Sequence, residues 1–246
     1  MLIQLTTQKE IRKNSLILVG GSGDPIEKFQ PFANILSSNL TEYTIVTFTL
    51  SQHSNDSDLL KIQSRELTEV IDQLMSEFSF QKLDLWCTSM GAYAAIKALQ
   101  DDKYKNSFGT IIFFDPADYY LEARISDADK AGTWSGPQDY SPIAPTISME
   151  LQNTDSSSLI HVVHLVLRNY SEDGYIASVY QDRGIDHESE FPRLNTAMVE
   201  SFYKYIPSQN KGEYIEVADV PHGFIRDGNI ELNLQRIANV TQSLLD

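Results

Sequence analysis

The stretch that decides the fold is LDLWCTSMGAYAA, residues 83–95. A short apolar run ends in small residues around one serine, and an alanine-rich, helix-forming segment follows at once. The pattern predicts a strand, a tight turn and a helix, with Ser89 at the apex of the turn. The motif Cys-x-Ser-x-Gly is a variant of the Gly-x-Ser-x-Gly nucleophile elbow, in which Cys87 and Gly91 supply small volumes where strand and helix approach. The simpler interpretation of Ser89 is a helix N-cap.

Strand and helix signals alternate on both sides of this turn. Buried strands are predicted at Ser15–Val19, Tyr43–Leu50, Leu83–Cys87, Gly109–Phe114, Leu159–Leu167 and Tyr214–Ala218. Helices are predicted from Phe32 onward after Pro31, and at Asp58–Phe78, Met90–Leu99, Ala197–Tyr205 and Ile230–Leu245. Continuous apolar strands separated by helices indicate an α/β fold, a mostly parallel sheet with helices on both faces. The order favours one domain over residues 1–246.

One segment is longer than this topology needs. About forty residues separate Pro116 from the strand at Leu159, where a connection of a few residues is typical. We predict a small cap or lid insertion at residues 118–158, with Trp134, Tyr140 and Ile143 as candidates for lining a substrate pocket. The alternative is a solvated loop.

Composition narrows the classes of partner. The net charge is −15, from 19 basic and 34 acidic residues, and this argues against binding to nucleic acid or anionic membranes. The single cysteine excludes an intrachain disulfide and a zinc site of the cysteine-cluster type. No apolar run approaches the length of a membrane span, and Met1–Lys13 lacks a secretory pattern, so we expect a cytoplasmic protein. The sequence leaves the oligomeric state open.

Three residues with complementary chemistry follow predicted strands. Ser89 follows one strand, Asp173 follows the strand at 159–167, and His222 follows the strand at 214–218. Ligands of open α/β sheets bind where such strands end. A serine needs an adjacent base to act as a nucleophile, a histidine is suited to that task, and a carboxylate orients the imidazole. We therefore predict a catalytic triad of Ser89, His222 and Asp173.

Other carboxylates could serve as the acid of the triad. Glu172 adjoins Asp173, while Asp115 and Asp118 follow the preceding strand, and Asp118 is the strongest rival. Strand order and loop length favour Asp173.

The other histidines are less suited to catalysis. We expect structural roles for His53, His161 and His164 and a solvated position for His187 on an acidic loop.

With these features, the chain resembles the α/β-hydrolase family over nearly its whole length. The resemblance rests on the elbow, the Ser-Asp-His order, the His-Gly pair before the last helix and the glycine-rich turn at residues 20–23. It implies an oxyanion hole made by the backbone amides of Met90 and of Gly21 or Ser22. The chain departs from the family pattern at Cys87, where glycine is usual, and at Ser22 inside the glycine turn.

The expected activity is therefore that of a serine hydrolase acting on a small-molecule acyl substrate. A carboxylic ester is the leading substrate class, followed by a thioester or small amide. The mechanism needs no metal and no organic cofactor. Two alternatives stay open: a catalytically silent binding protein with the same fold, and an acyltransferase that uses the same nucleophile. Nucleotide binding is disfavoured because the glycine turn lacks the lysine of a P-loop.

Overall fold

A seven-stranded sheet forms the centre of the molecule. The structure, a computed structural model, describes residues 3–6, 12–21, 25–48, 50, 59–78, 80, 82–118, 147–167 and 187–246. The strands are β1 (Ile3–Thr6), β2 (Asn14–Val19), β3 (Tyr43–Phe48), β4 (Lys82–Thr88), β5 (Phe108–Phe114), β6 (Leu159–Val166) and β7 (Lys211–Ala218). Their order is β1-β3-β2-β4-β5-β6-β7. All neighbouring pairs are parallel except β1 with β3. The predicted α/β fold is confirmed, and β1 is a strand that the sequence analysis did not predict.

Five helices cover this sheet in the part of the chain that the structure describes. They are α1 (Ile26–Asn39), α2 (Leu59–Glu77), α3 (Gly91–Leu99), α4 (His187–Tyr205) and α5 (Ile230–Leu245). Short 3-10 helices span Ser148–Asn153 and Ser208–Asn210. None of the described helices is long and apolar enough to cross a bilayer.

The core has two layers because successive strand side chains point to opposite faces. In β2, Ile17 and Val19 join the layer under α2, α3 and α4, whereas Leu16 and Leu18 join the layer under α1 and α5. Both layers are apolar, and for this reason the strands appear in the sequence as continuous apolar runs.

Two helices begin earlier than predicted. The prediction that α1 begins after Pro31 is wrong: the helix begins at Ile26 with Pro31 inside it. Buried Ile26 and Phe29 continue the apolar face of the helix toward its N-terminus. Likewise α4 begins at His187, so the prediction of a loop at that residue is wrong.

The end of the predicted cap insertion belongs to the core. Ile147 and Leu151 are buried, and the 3-10 helix that contains Leu151 contacts α4. The rest of the insertion, residues 119–146, lies outside the described residues, and so do its candidates Trp134, Tyr140 and Ile143.

Candidate active site

The turn after β4 has the geometry of a nucleophile elbow. Ser89 has a φ of 50°, a left-handed conformation that is uncommon and strained for a residue other than glycine. Its N–H donates to the Phe114 carbonyl at 3.2 Å, and its own carbonyl accepts from Ala92 at 3.3 Å and from Ala117 at 3.2 Å. The N-cap of α3 is Met90, so Ser89 is not a simple N-cap. These bonds hold Ser89, which is partly exposed, at the end of the sheet.

Small residues permit the close approach of α3 to the sheet. A Cβ atom on Gly91 would lie 2.6 Å from the Val19 carbonyl oxygen and 2.9 Å from that of Gly20. Because those neighbours are backbone atoms, residue 91 must be glycine for the elbow to close. Cys87 is fully buried, and burial raises the pKa of its thiol far above the usual range. This thiol is a packed side chain and not a nucleophile.

The backbone near the elbow also presents amide donors. Met90 precedes the first turn of α3, and its N–H makes no hydrogen bond within the described ranges. Gly21, which is buried, follows β2 at the same edge of the sheet. Ser22, the alternative donor, lies outside the described residues.

A buried carboxylate lies beside the elbow on the neighbouring strand. Asp115 directly follows β5, is fully buried and has a φ of 43°. Its Oδ1 accepts from the Leu165 amide at 2.8 Å. Its Oδ2 accepts from His222 Nδ1 at 3.0 Å and from Asn195 Nδ2 at 3.1 Å. Three donors thus satisfy a carboxylate that is shielded from water.

The loop after β7 carries His222 to this carboxylate. The loop leaves the strand through Asp219, which has a φ of 57° and donates its N–H to the Val166 carbonyl at 2.7 Å. Beyond the histidine, buried Phe224 packs against Trp86 with ring centroids 6.0 Å apart. The Asp115 bond keeps a proton on Nδ1 of His222, so Nε2 is the basic nitrogen of the neutral ring.

Ser89, Asp115 and His222 lie at the carboxyl edge of the sheet, where the parallel strands end. Thr88 and Phe114 are paired across β4 and β5, so the residues that follow them, Ser89 and Asp115, leave adjacent strands side by side. Neighbouring strands are about 4.8 Å apart. The edge therefore combines a hydroxyl on a strained turn with a histidine–carboxylate pair. Groups of side chains with the make-up of a metal site are absent from the described part of the chain.

The structure distinguishes between the candidates for the acid of the triad. Asp173, the favoured one, lies outside the described residues. Asp118 is engaged elsewhere: its carboxylate accepts from the Ser148 amide at 2.9 Å, and its own amide contacts Met198 Sδ at 3.4 Å. This bond connects two described residues, Asp118 and Ser148, that lie on either side of residues 119–146 in the sequence. Asp115, ranked below both, is the carboxylate that contacts His222.

Two further residues of the site were not predicted. Asn195 and Phe191 lie on α4, where Asn195 contacts Asp115 and the Phe191 ring meets the His222 ring edge-to-face at 6.1 Å. Nothing in the sequence near them signals a functional role. His161 and His164 are buried in β6, in agreement with structural roles, and His53 lies outside the described residues.

Comparisons with known proteins agree with this architecture. No family model and no curated protein matches the chain. Among solved structures, a putative hydrolase from Agrobacterium vitis S4 is similar with a TM-score of 0.61 and 14% identity, over 99% of this chain and 92% of that one. A soluble variant of monoglyceride lipase from Saccharomyces cerevisiae has a TM-score of 0.58 and 13% identity, over 99% and 90%. Est1E from Butyrivibrio proteoclasticus has a TM-score of 0.57 and 11% identity, over 99% and 93%.

Proposed function

Because the chain has the α/β-hydrolase fold, we propose that it is a serine hydrolase that cleaves an acyl bond through Ser89, His222 and Asp115. The observation that carries the proposal is the 3.0 Å bond from His222 Nδ1 to buried Asp115, beside the strained turn at Ser89. A structural serine does not need a left-handed backbone, and a structural histidine does not need a buried carboxylate behind it.

In the proposed reaction His222 Nε2 takes the proton of the Ser89 hydroxyl as the oxygen attacks the substrate carbonyl. The amides of Met90 and Gly21, with Ser22 as the alternative to Gly21, donate to the oxygen that becomes negative. His222 then gives its proton to the leaving group, and an acyl-enzyme is left. Water, deprotonated by His222, hydrolyses the acyl-enzyme and restores Ser89. Throughout, Asp115 keeps the proton on Nδ1 and stabilises the imidazolium.

Asp115 replaces Asp173 in this proposal. Its contact with His222 is direct, and it reaches the imidazole from the strand next to the nucleophile. Asp118 is a weaker candidate because the contact shown for its carboxylate is with the Ser148 amide, whereas the carboxylate of Asp115 contacts His222.

The substrate class comes from the sequence interpretation. We propose a carboxylic ester as the first choice of substrate and a thioester or small amide as the second. The proposed mechanism uses no cofactor. The cytoplasmic location and the pocket-lining roles of Trp134, Tyr140 and Ile143 stay predictions.

The test is labelling by a fluorophosphonate, which reacts covalently with an activated serine, followed by hydrolysis assays. We expect one adduct by intact mass, located on Ser89 by peptide mapping, and none in Ser89→Ala. The labelled enzyme should lose its activity on a chain-length series of aryl esters and thioesters. A folded wild-type protein that neither reacts nor hydrolyses any of these would overturn the proposal. Transfer of the acyl group to an added alcohol in preference to water would identify a transferase.

A further inference from the structure

Asn195 contacts the same carboxylate oxygen as the histidine. Its Nδ2 donates to Asp115 Oδ2 at 3.1 Å, and this oxygen also accepts from His222 Nδ1. Asn195 is 1% exposed, so water does not replace this donor. An amide does not titrate, and its effect on the pair is therefore the same at every pH.

The face of α4 that carries Asn195 contacts several parts of the site. Phe191, Asn195 and Met198 are spaced by four and three residues, which places them on one side of the helix. Phe191 packs against the His222 ring, and Met198 contacts the Asp118 amide. Farther along the helix, the Ser201 hydroxyl is 2.7 Å from that of Ser148. A helix fixed at these points holds Asn195 in one place relative to Asp115.

We infer that Asn195 is a positioning residue that orients Asp115 and lowers the basicity of His222. The inference rests on the proposed role of His222 as general base. The positive end of the amide dipole points at the shared oxygen and so lies close to the imidazole. It partly offsets the negative potential of the carboxylate, and this disfavours the imidazolium. Without Asn195, the carboxylate has one donor fewer and attracts the proton on His222 more strongly.

Other titratable groups lie on the elements packed around the pair. Within the described residues these include Asp118 after β5, His164 on β6, Tyr214 and Glu216 on β7, Asp219 after β7, and Arg193 and Glu200 on α4. They are the same in the wild type and in a variant at position 195. A difference in pKa between the two proteins therefore reports on Asn195.

The test is an NMR titration of His222 in Asn195→Leu, a change that keeps the branching of the side chain and removes the donor. The His222 signals are assigned by their absence from His222→Gln. We expect the pKa of His222 to rise by about one unit. The acid limb of kcat/KM should move to higher pH by the same amount, and kcat should fall by about tenfold with little change in KM. The NMR readout does not require a substrate, so it stays informative if the proposed hydrolase activity fails.

Asn210→Leu is the matched control. Asn210 is also 1% exposed, and its Nδ2 donates to the carbonyls of Ser156 and Ser158 at the opposite edge of the sheet. Its loss should lower stability without changing the pKa of His222. Asn195→Val, a smaller apolar change that also removes the donor, should raise that pKa in the same way and serves if Asn195→Leu does not fold. An unchanged pKa of His222 in a folded variant at position 195 would overturn the inference.

Discussion

Two buried aspartates on adjacent strands allow a comparison of the two ends of the sheet. Asp84 lies at the amino edge, where the parallel strands begin, and Asp115 lies at the carboxyl edge, where they end. Asp84 lies near the start of β4, where it accepts from the Thr110 amide at 2.6 Å and the Tyr43 hydroxyl at 2.9 Å and pairs with Lys82 at 3.2 Å. Asp115 lies just past the end of β5 and faces His222. Both carboxylates are fully buried.

The difference lies in the partners and in the backbone. Burial raises the pKa of Asp84, and its hydrogen bonds and Lys82 oppose this rise, so its contacts form a structural network. Asp115 has a left-handed backbone, and its partner is the imidazole of His222. Burial of a carboxylate is therefore no sign of function by itself; backbone strain and a histidine partner are what distinguish Asp115 at the carboxyl edge.

The largest effect should come from the hydroxyl at the carboxyl edge. Ser89→Ala should lower kcat by on the order of 10³-fold or more while the far-UV circular dichroism spectrum stays unchanged. His222→Ala should lower kcat about equally, and the double variant should be no worse, because the two residues act as one unit. If the two losses multiply, the residues do not share a mechanism.

The next effect belongs to the amino edge and concerns stability. Asp84→Asn should lower the free energy of unfolding by about 1–3 kcal/mol, because a buried charge network loses its anion. Reactivity of Ser89 should not change. The control is Asp72→Asn, since Asp72 contacts the same residue types, Lys103 and Tyr104, on the surface. That change should cost less than about 1 kcal/mol in urea unfolding. Equal losses would mean that burial of Asp84 does not matter.

A smaller, pH-dependent effect is expected at His161 in β6. Burial lowers its pKa, and its Nδ1 accepts from the Glu213 amide at 3.0 Å, with the ring packed on Gly212. The folded pKa is below the unfolded value, so stability is complete above about pH 6.5 and declines as pH falls below it. His161→Asn keeps an acceptor without titrating and should flatten the decline between pH 7 and 5. The measurement is urea unfolding of the wild type and His161→Asn at these pH values. Equal losses of stability in the two proteins would contradict the prediction.

The smallest effect should come from a surface support of the His222 loop. Arg236 Nη1 donates to the carbonyls of Ala218 at 3.2 Å and Asp219 at 3.4 Å, where the loop leaves β7. Arg236→Gln should lower kcat/KM by about two- to fivefold, because the histidine is less firmly placed. Arg65→Gln, which removes an exposed arginine of α2, is the control and should leave kcat/KM unchanged. Equal values for both variants would mean that Arg236 does not support the loop.

The sequence predicts local features of this molecule well. The elbow is encoded within residues 83–95, and the strands and helices that carry Ser89 and His222 follow from apolar periodicity. The pairing of Asp115 with His222 joins residues 107 positions apart, and no local pattern reveals it. The first half of α4 was missed because a polar HESE run opens the helix, and its contacts with the site through Asn195 depend on tertiary packing.

The most direct measurement compares fluorophosphonate labelling rates of Asp115→Asn and Asp173→Asn with the wild type at neutral pH. Asparagine keeps the shape of the side chain but removes the charge that orients and stabilises the imidazole. We predict that Asp115→Asn slows labelling of Ser89 by on the order of 10³-fold or more, whereas Asp173→Asn stays within a few fold of the wild type. Labelling of Asp115→Asn at the wild-type rate, with Asp173→Asn slowed instead, would contradict the central claim that Asp115 is the acid that supports His222.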